Sequence, residues 1–101
     1  MNYIEELRDV IKRLHGVDST HVQSVPIKEE FKGKTVWEGI VEVFELHGHP
    51  NARKIYAWSH ETGMPNQPRF VTVLHAAPIT SAALAVRAAI VQEFRNAQSE
   101  G

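Results

Sequence analysis

The chain has 101 residues, a formal net charge of −1, six histidines and no cysteine. That length holds one domain with one core, and the missing cysteines exclude disulfides, thiolate nucleophiles and sulfur-ligated metal. The near-neutral balance gives no long-range field to steer a polyanion, so nucleic acid is an unfavoured partner.

The first residues, Met1 to Arg8, carry acids where a signal peptide needs a basic region and then an apolar run. No apolar stretch approaches the roughly 20 residues that cross a bilayer. The expectation is a cytoplasmic protein with no membrane contact. Tyr3, Leu7, Val10, Ile11 and Leu14 recur at helical spacing, which predicts a helix over 3–15. Asn2 suits its N-cap and Gly16 its C-terminal stop. Glu5 and Glu6 favour the start of the macrodipole, and Lys12, Arg13 and His15 its end.

Val22, Val25, Ile27 and Phe31 mark a strand within 20–31. Pro26 cannot donate to a ladder, so this strand is expected at an edge or bulged there. Lys32-Gly33-Lys34 is a short turn into the longest strand, 35–47. Both faces of that strand carry apolar residues: Trp37, Val41 and Val43 on one, Val36, Ile40, Phe44 and Leu46 on the other. A sheet with one wet face would alternate more strictly, so part of the second face is expected to be covered, most cheaply by a partner subunit. Residues 47–52 form a tight turn. A strand over 54–60 follows, then a long turn over 61–68 and a strand over 69–75. Thr80 or Ser81 can cap an alanine-rich helix over 82–97, and a frayed tail is expected over 95–101.

The expected fold is α+β, a single domain over 1–101: helix, four-stranded antiparallel meander, helix. Both helices are expected on one face, as a two-layer sandwich. In a meander His47, His49 and His75 come to one end of the sheet. Three imidazoles there have the chemistry to hold zinc with an open fourth position, against ordinary hydrogen bonding of strand-end histidines. No cofactor is otherwise expected. His60 with Glu61 is poorly arranged as a general base with an orienting carboxylate, because neighbours in a strand point to opposite faces. No phosphate loop or nucleophile elbow is present. Trp37, Tyr56 and Trp58 are candidates for ligand or interface contact if they face away from the helices, and are core otherwise. Arg53, with Arg69 and Arg87, would bind an anion if the three converged.

The helix–strands–helix order is similar to that of double-stranded RNA-binding domains, whose last helix starts with basic residues. Here Thr80 to Val86 contains no lysine, so RNA binding is not the favoured reading. The stretch Thr35 to Pro50, with Tyr56-Ala57-Trp58-Ser59-His60, Phe70 to His75 and Ala85 to Ile90, resembles small uncharacterised bacterial proteins of the kind found on mobile gene cassettes. The resemblance covers about residues 35–95. It implies a bacterial, cytoplasmic setting and no site residues, since that group has no assigned activity. The expected function is a binding module, homodimeric, acting through the sheet surface that the helices leave bare. The alternative is a small metal protein or enzyme built on the histidine cluster. Nucleic-acid binding is the weaker third reading.

Overall fold

The computed structural model describes residues 2–60 and 69–99. Six elements follow in order: α1 (Tyr3–His15), β1 (Asp18–Phe31), β2 (Lys34–His47), β3 (Lys54–His60), β4 (Arg69–Leu74) and α2 (Ala82–Ser99). The strands form one open sheet, β1-β2-β3-β4, with every neighbouring pair antiparallel. This is the α+β helix–meander–helix chain that the sequence predicts. The turn over 61–68 lies outside the described residues.

Local chemistry sets the boundaries. Asn2 Oδ1 accepts the Glu5 amide at 2.9 Å, which satisfies one of the free donors of the α1 N-terminus. The Gly16 N–H donates to the Lys12 carbonyl at 2.9 Å and closes the helix. Lys32 and Gly33 both have positive φ, 52° and 77°. That pair makes the two-residue turn whose twist matches that of the flanking strands. Ser81 Oγ accepts the Leu84 amide at 3.2 Å and caps α2. That helix runs from Ala82 to Ser99. Its alanines favour continued helix.

Side-chain parity along the strands places the helices. Leu7 and Ile11 of α1 pack with Phe44 and Leu46 of β2 and with Ile55 and Ala57 of β3. Ala82, Ala85 and Val86 of α2 pack with Val41, Val43, Tyr56 and Trp58. Residues 44 and 46 point away from 41 and 43, and 55 and 57 away from 56 and 58. The helices therefore cover opposite faces, and the expectation that they share one does not hold. The physical reason lies in β2 and β3, where both faces are apolar. The second covering that they demand is supplied by α2 within the chain, where a partner subunit was expected. Phe44, Ile55, Leu7, Ile11, Val41 and Val86 are fully enclosed, each worth about 1.5–3 kcal/mol of transfer free energy. Leu14, expected on the apolar stripe of α1, is exposed instead.

The sheet is not evenly paired. β1 and β2 are 14 residues each and run together over almost their whole length. β3 meets β2 only between Glu42–Glu45 and Lys54–Ala57, then continues against β4 alone. The far half of the β1–β2 hairpin therefore projects beyond the rest of the sheet.

Candidate functional site

The root of that projecting hairpin holds the most concentrated polar cluster among the described residues. It begins with a bulge. The β1–β2 register shifts between His21 and Gln23, so Val22 is an extra residue. In a regular strand His21 and Ser24 would face opposite ways, since they are three apart. The inserted residue brings both to the α1 side, beside Glu42. His21 Nε2 donates to Glu42 Oε1 at 2.9 Å, and Ser24 Oγ donates to the same oxygen. Ser24 Oγ and His21 Nε2 are 3.4 Å apart. Glu42 is only 7% exposed. A carboxylate taken so far out of water is tolerated because two donors meet it.

The geometry excludes a serine-nucleophile triad. Such a triad uses both ring nitrogens of histidine, one toward the serine and one toward the acid. Here the serine binds the acid directly, and a single imidazole nitrogen faces both. The cluster holds a negative charge in place and does not activate a hydroxyl.

A cleft of about 700 Å³ opens next to Glu42, where β2 leaves β3. Tyr3, Trp37, Glu38, Gly39, Ile40, Glu42 and Ser59 line it. The Ser59 amide, which has no β2 partner, donates to Tyr3 Oη at 2.8 Å. The phenol thus stands in for the strand that has moved away. Beyond the cleft, the α1 side of the hairpin is bare. Ile40 is 53% exposed, and Pro26, Lys28 and Glu38 are also exposed; Val36, left unpaired by the second register shift, is 48% exposed. The register pairs Pro26 with Ile40 and Lys28 with Glu38, so these side chains share one surface.

The residues singled out by sequence fall elsewhere. His47, His49 and His75 do come to one end of the sheet, but each has its own partner. His47 Nε2 is 2.7 Å from Thr20 Oγ1. His49 Nδ1 accepts the Asn51 amide at 3.0 Å, and its ring meets His15 edge-on at 6.1 Å between centroids. His75 Nδ1 lies 2.5 Å from Tyr56 Oη. Among the described residues no three His, Asp or Glu side chains gather as a metal-holding group. His15 Nε2 is 3.0 Å from Thr72 Oγ1. Burial, and then the neighbouring His49, lower its pKa below the usual histidine value. Burial raises that of Tyr56 above the usual phenol value.

Tyr56 and Trp58 do not face away from the helices. They are 4% and 3% exposed in the core beneath α2, and Trp37 packs edge-on against Trp58 at 5.8 Å. Only Trp37 keeps a surface, at the cleft. Arg53 is exposed. Arg87 Nε donates to Glu29 Oε1 at 2.9 Å, and the Arg69 side chain lies outside the described residues, as do those of His60 and Glu61. No convergence of the three arginines is visible. Sequence reading missed His21 and Ser24, because only a bulge makes them neighbours and no residue type announces that bulge. Among the described residues no helix is long and apolar enough to cross a membrane. Comparison with known protein families, with curated proteins and with solved structures finds no match to this chain.

Proposed function

We propose that this protein is a binding module that self-associates through the bare α1-side surface of the β1–β2 hairpin. The observation that carries this reading is the exposure of Ile40 across the ladder from exposed Pro26, with Val36 exposed farther along the same hairpin, outside both helix-packed clusters. Apolar side chains on a pleated surface gain most from a second, similar surface. A second copy is the occupant that the charges favour. Lys28 and Glu38 lie on this same surface. A two-fold axis through it would set Lys28 of one copy against Glu38 of the other, twice over. The outer edge of β1 is a poorer contact. Pro26 and the bulge at Val22 interrupt its free ladder, a usual defence against edge pairing.

The test is native mass spectrometry on untagged protein, beside the variant Val36→Lys. A dimer that the lysine converts to monomer, with circular dichroism unchanged, supports the reading. A monomer at tens of micromolar, or a dimer indifferent to the substitution, overturns it. The bacterial setting and cytoplasmic location belong to this proposal too. They rest on the sequence resemblance and on the absence of a spanning helix among the described residues.

A further inference from the structure

A second hollow lies where α1 passes the start of β1, at the opposite end of that strand from the hairpin turn. Its volume is about 220 Å³, and Glu5, Arg8, Asp9 and Lys12 of α1 line it with Asp18 and Ser19 of β1. Ser19 pairs across the ladder with Leu46, which packs in the core beneath α1, so the serine side chain stands on the α1 side. Ser19 is 3% exposed, and its Oγ is the one buried side-chain oxygen or nitrogen without a hydrogen-bond partner among the described residues. Buried hydroxyls are ordinarily paired, so an orphan in the wall of a hollow marks a place for a ligand atom.

The charges beside it are also incomplete. Positions 5, 8, 9 and 12 share one helical face. On that face Glu5 and Asp9 are like charges four residues apart, and so are Arg8 and Lys12, a spacing that weakens a helix when nothing lies between them. Lys12 turns to Asp18, at 3.2 Å. Arg8 Nε donates to the Ser19 carbonyl at 3.0 Å, which holds the guanidinium beside the serine. The terminal nitrogens of Arg8, and the carboxylates of Glu5 and Asp9, have no partner among the described residues.

We propose that this hollow binds a small zwitterion of the α-amino acid class. The ligand carboxylate meets the terminal nitrogens of Arg8 and the hydroxyl of Ser19, and the ammonium meets Glu5 and Asp9. Each pole of the ligand then relieves one like-charge pair. Other ligands fit less well. Three carboxylates against two cations disfavour a phosphate dianion. Arg8 and Lys12 in the same wall repel a divalent cation, and no metal-holding group of His, Asp and Glu forms among the described residues. None of the lining residues lies on the bare hairpin surface, so the inference does not rest on self-association.

The experiment is a titration of ¹⁵N-labelled protein with glycine at about pH 7 and constant ionic strength, followed by the amide signals of Arg8, Asp9 and Ser19. Acetate and methylammonium, each carrying one of the two charges, are titrated in the same way. The expected result is saturable shifts with glycine, and affinity for each single-charge probe lower by about tenfold or more. Ser19→Ala separates ligand from fold. The Oγ has no partner to lose, so the melting temperature should not fall, while glycine affinity should drop about fivefold. Arg8→Lys keeps the charge but removes the fork, and should weaken glycine by about tenfold. Val36→Lys should bind glycine as the parent does, which keeps this result apart from the question of dimers. No saturable shift with glycine, acetate or methylammonium binding as tightly as glycine, or undiminished affinity in both Ser19→Ala and Arg8→Lys would each overturn it.

Discussion

His21 Nε2 lies 2.9 Å from Glu42 Oε1, although the residue directly opposite Glu42 in the ladder is Ser24. The contact exists because Val22 is extruded from the register. It follows that the two donors of Glu42 are not equivalent in origin. Ser24 is placed by the ladder itself, His21 by the bulge. His21→Ala should cost about 1–3 kcal/mol of stability, since a buried carboxylate loses a donor. Urea unfolding of His21→Ala, Glu42→Gln and the double variant checks this. The double variant should lose less than the sum of the singles, because each residue is the other's partner. Full additivity would mean that the contact carries no energy.

Trp58 is enclosed between β2, β3 and α2, and so reports on folding. Trp58→Ala should lower stability by about 3–5 kcal/mol, a large share of what a chain of this size has. Val36→Lys, on the bare hairpin, should change the stability of the monomer itself by no more than about 0.5 kcal/mol. Thermal melts of both monitor the contrast. The reverse ranking would place the aromatic residue at an interface.

Gly39 has a sterically defined role. A Cβ built on it would lie 2.9 Å from Trp37 Cη2, inside any real carbon–carbon contact. Gly39→Ala should therefore push the Trp37 ring off its edge-on contact with Trp58. The expected loss is about 1–3 kcal/mol, with a shift of tryptophan emission as exposure changes. An unchanged spectrum would show that the ring yields without leaving its packing.

His15 sets a pH dependence. Its folded pKa lies below the ordinary value, so the unfolded chain takes up the proton first. The resulting stability is fully present above about pH 6.5, the unfolded value, and is lost as pH falls from there through the folded pKa. In His15→Gln that part of the acid-side decline should disappear. Melting temperatures of the two proteins between pH 7.5 and about 5 test it.

Tyr56 acts at the other end of the scale. Burial raises its folded pKa above about 10, so its contribution is complete below the unfolded value and is lost as pH rises through the folded one. Tyr56→Phe should cost about 1 kcal/mol at neutral pH through the lost contact with His75, and should flatten the alkaline decline. Melts at pH 7 and about pH 11 separate the two effects.

The local elements were legible because local chemistry writes them. Asn2, Gly16, Lys32-Gly33 and Ser81 each act within a few residues, so the helix and turn positions read straight from the chain. The apolar residues on both faces of β2 were legible too, as a demand for a second covering. What met that demand was not. Whether α2 or another subunit lies on Trp58 depends on how the chain after residue 75 crosses the sheet, and no periodicity encodes that path. The histidines show the same divide. Strand direction correctly brings His47, His49 and His75 to one end, but the faces on which they stand depend on turn geometry. The Glu42 cluster was hidden for a further reason. A bulge changes which residues are neighbours without changing composition or pattern.

β2 and β3 form a wall common to both cores, with Phe44 and Ile55 on one side and Val41 and Trp58 on the other. Loosening either helix strips one side of a strand pair that the other helix still needs. The two halves should therefore open as one kinetic unit. Amides of Val43 and Tyr56, at the centre of this wall, should exchange with solvent only at the rate of global opening. A fault introduced under α1 would then be felt beneath α2, even though the buried residues of the two cores form separate clusters.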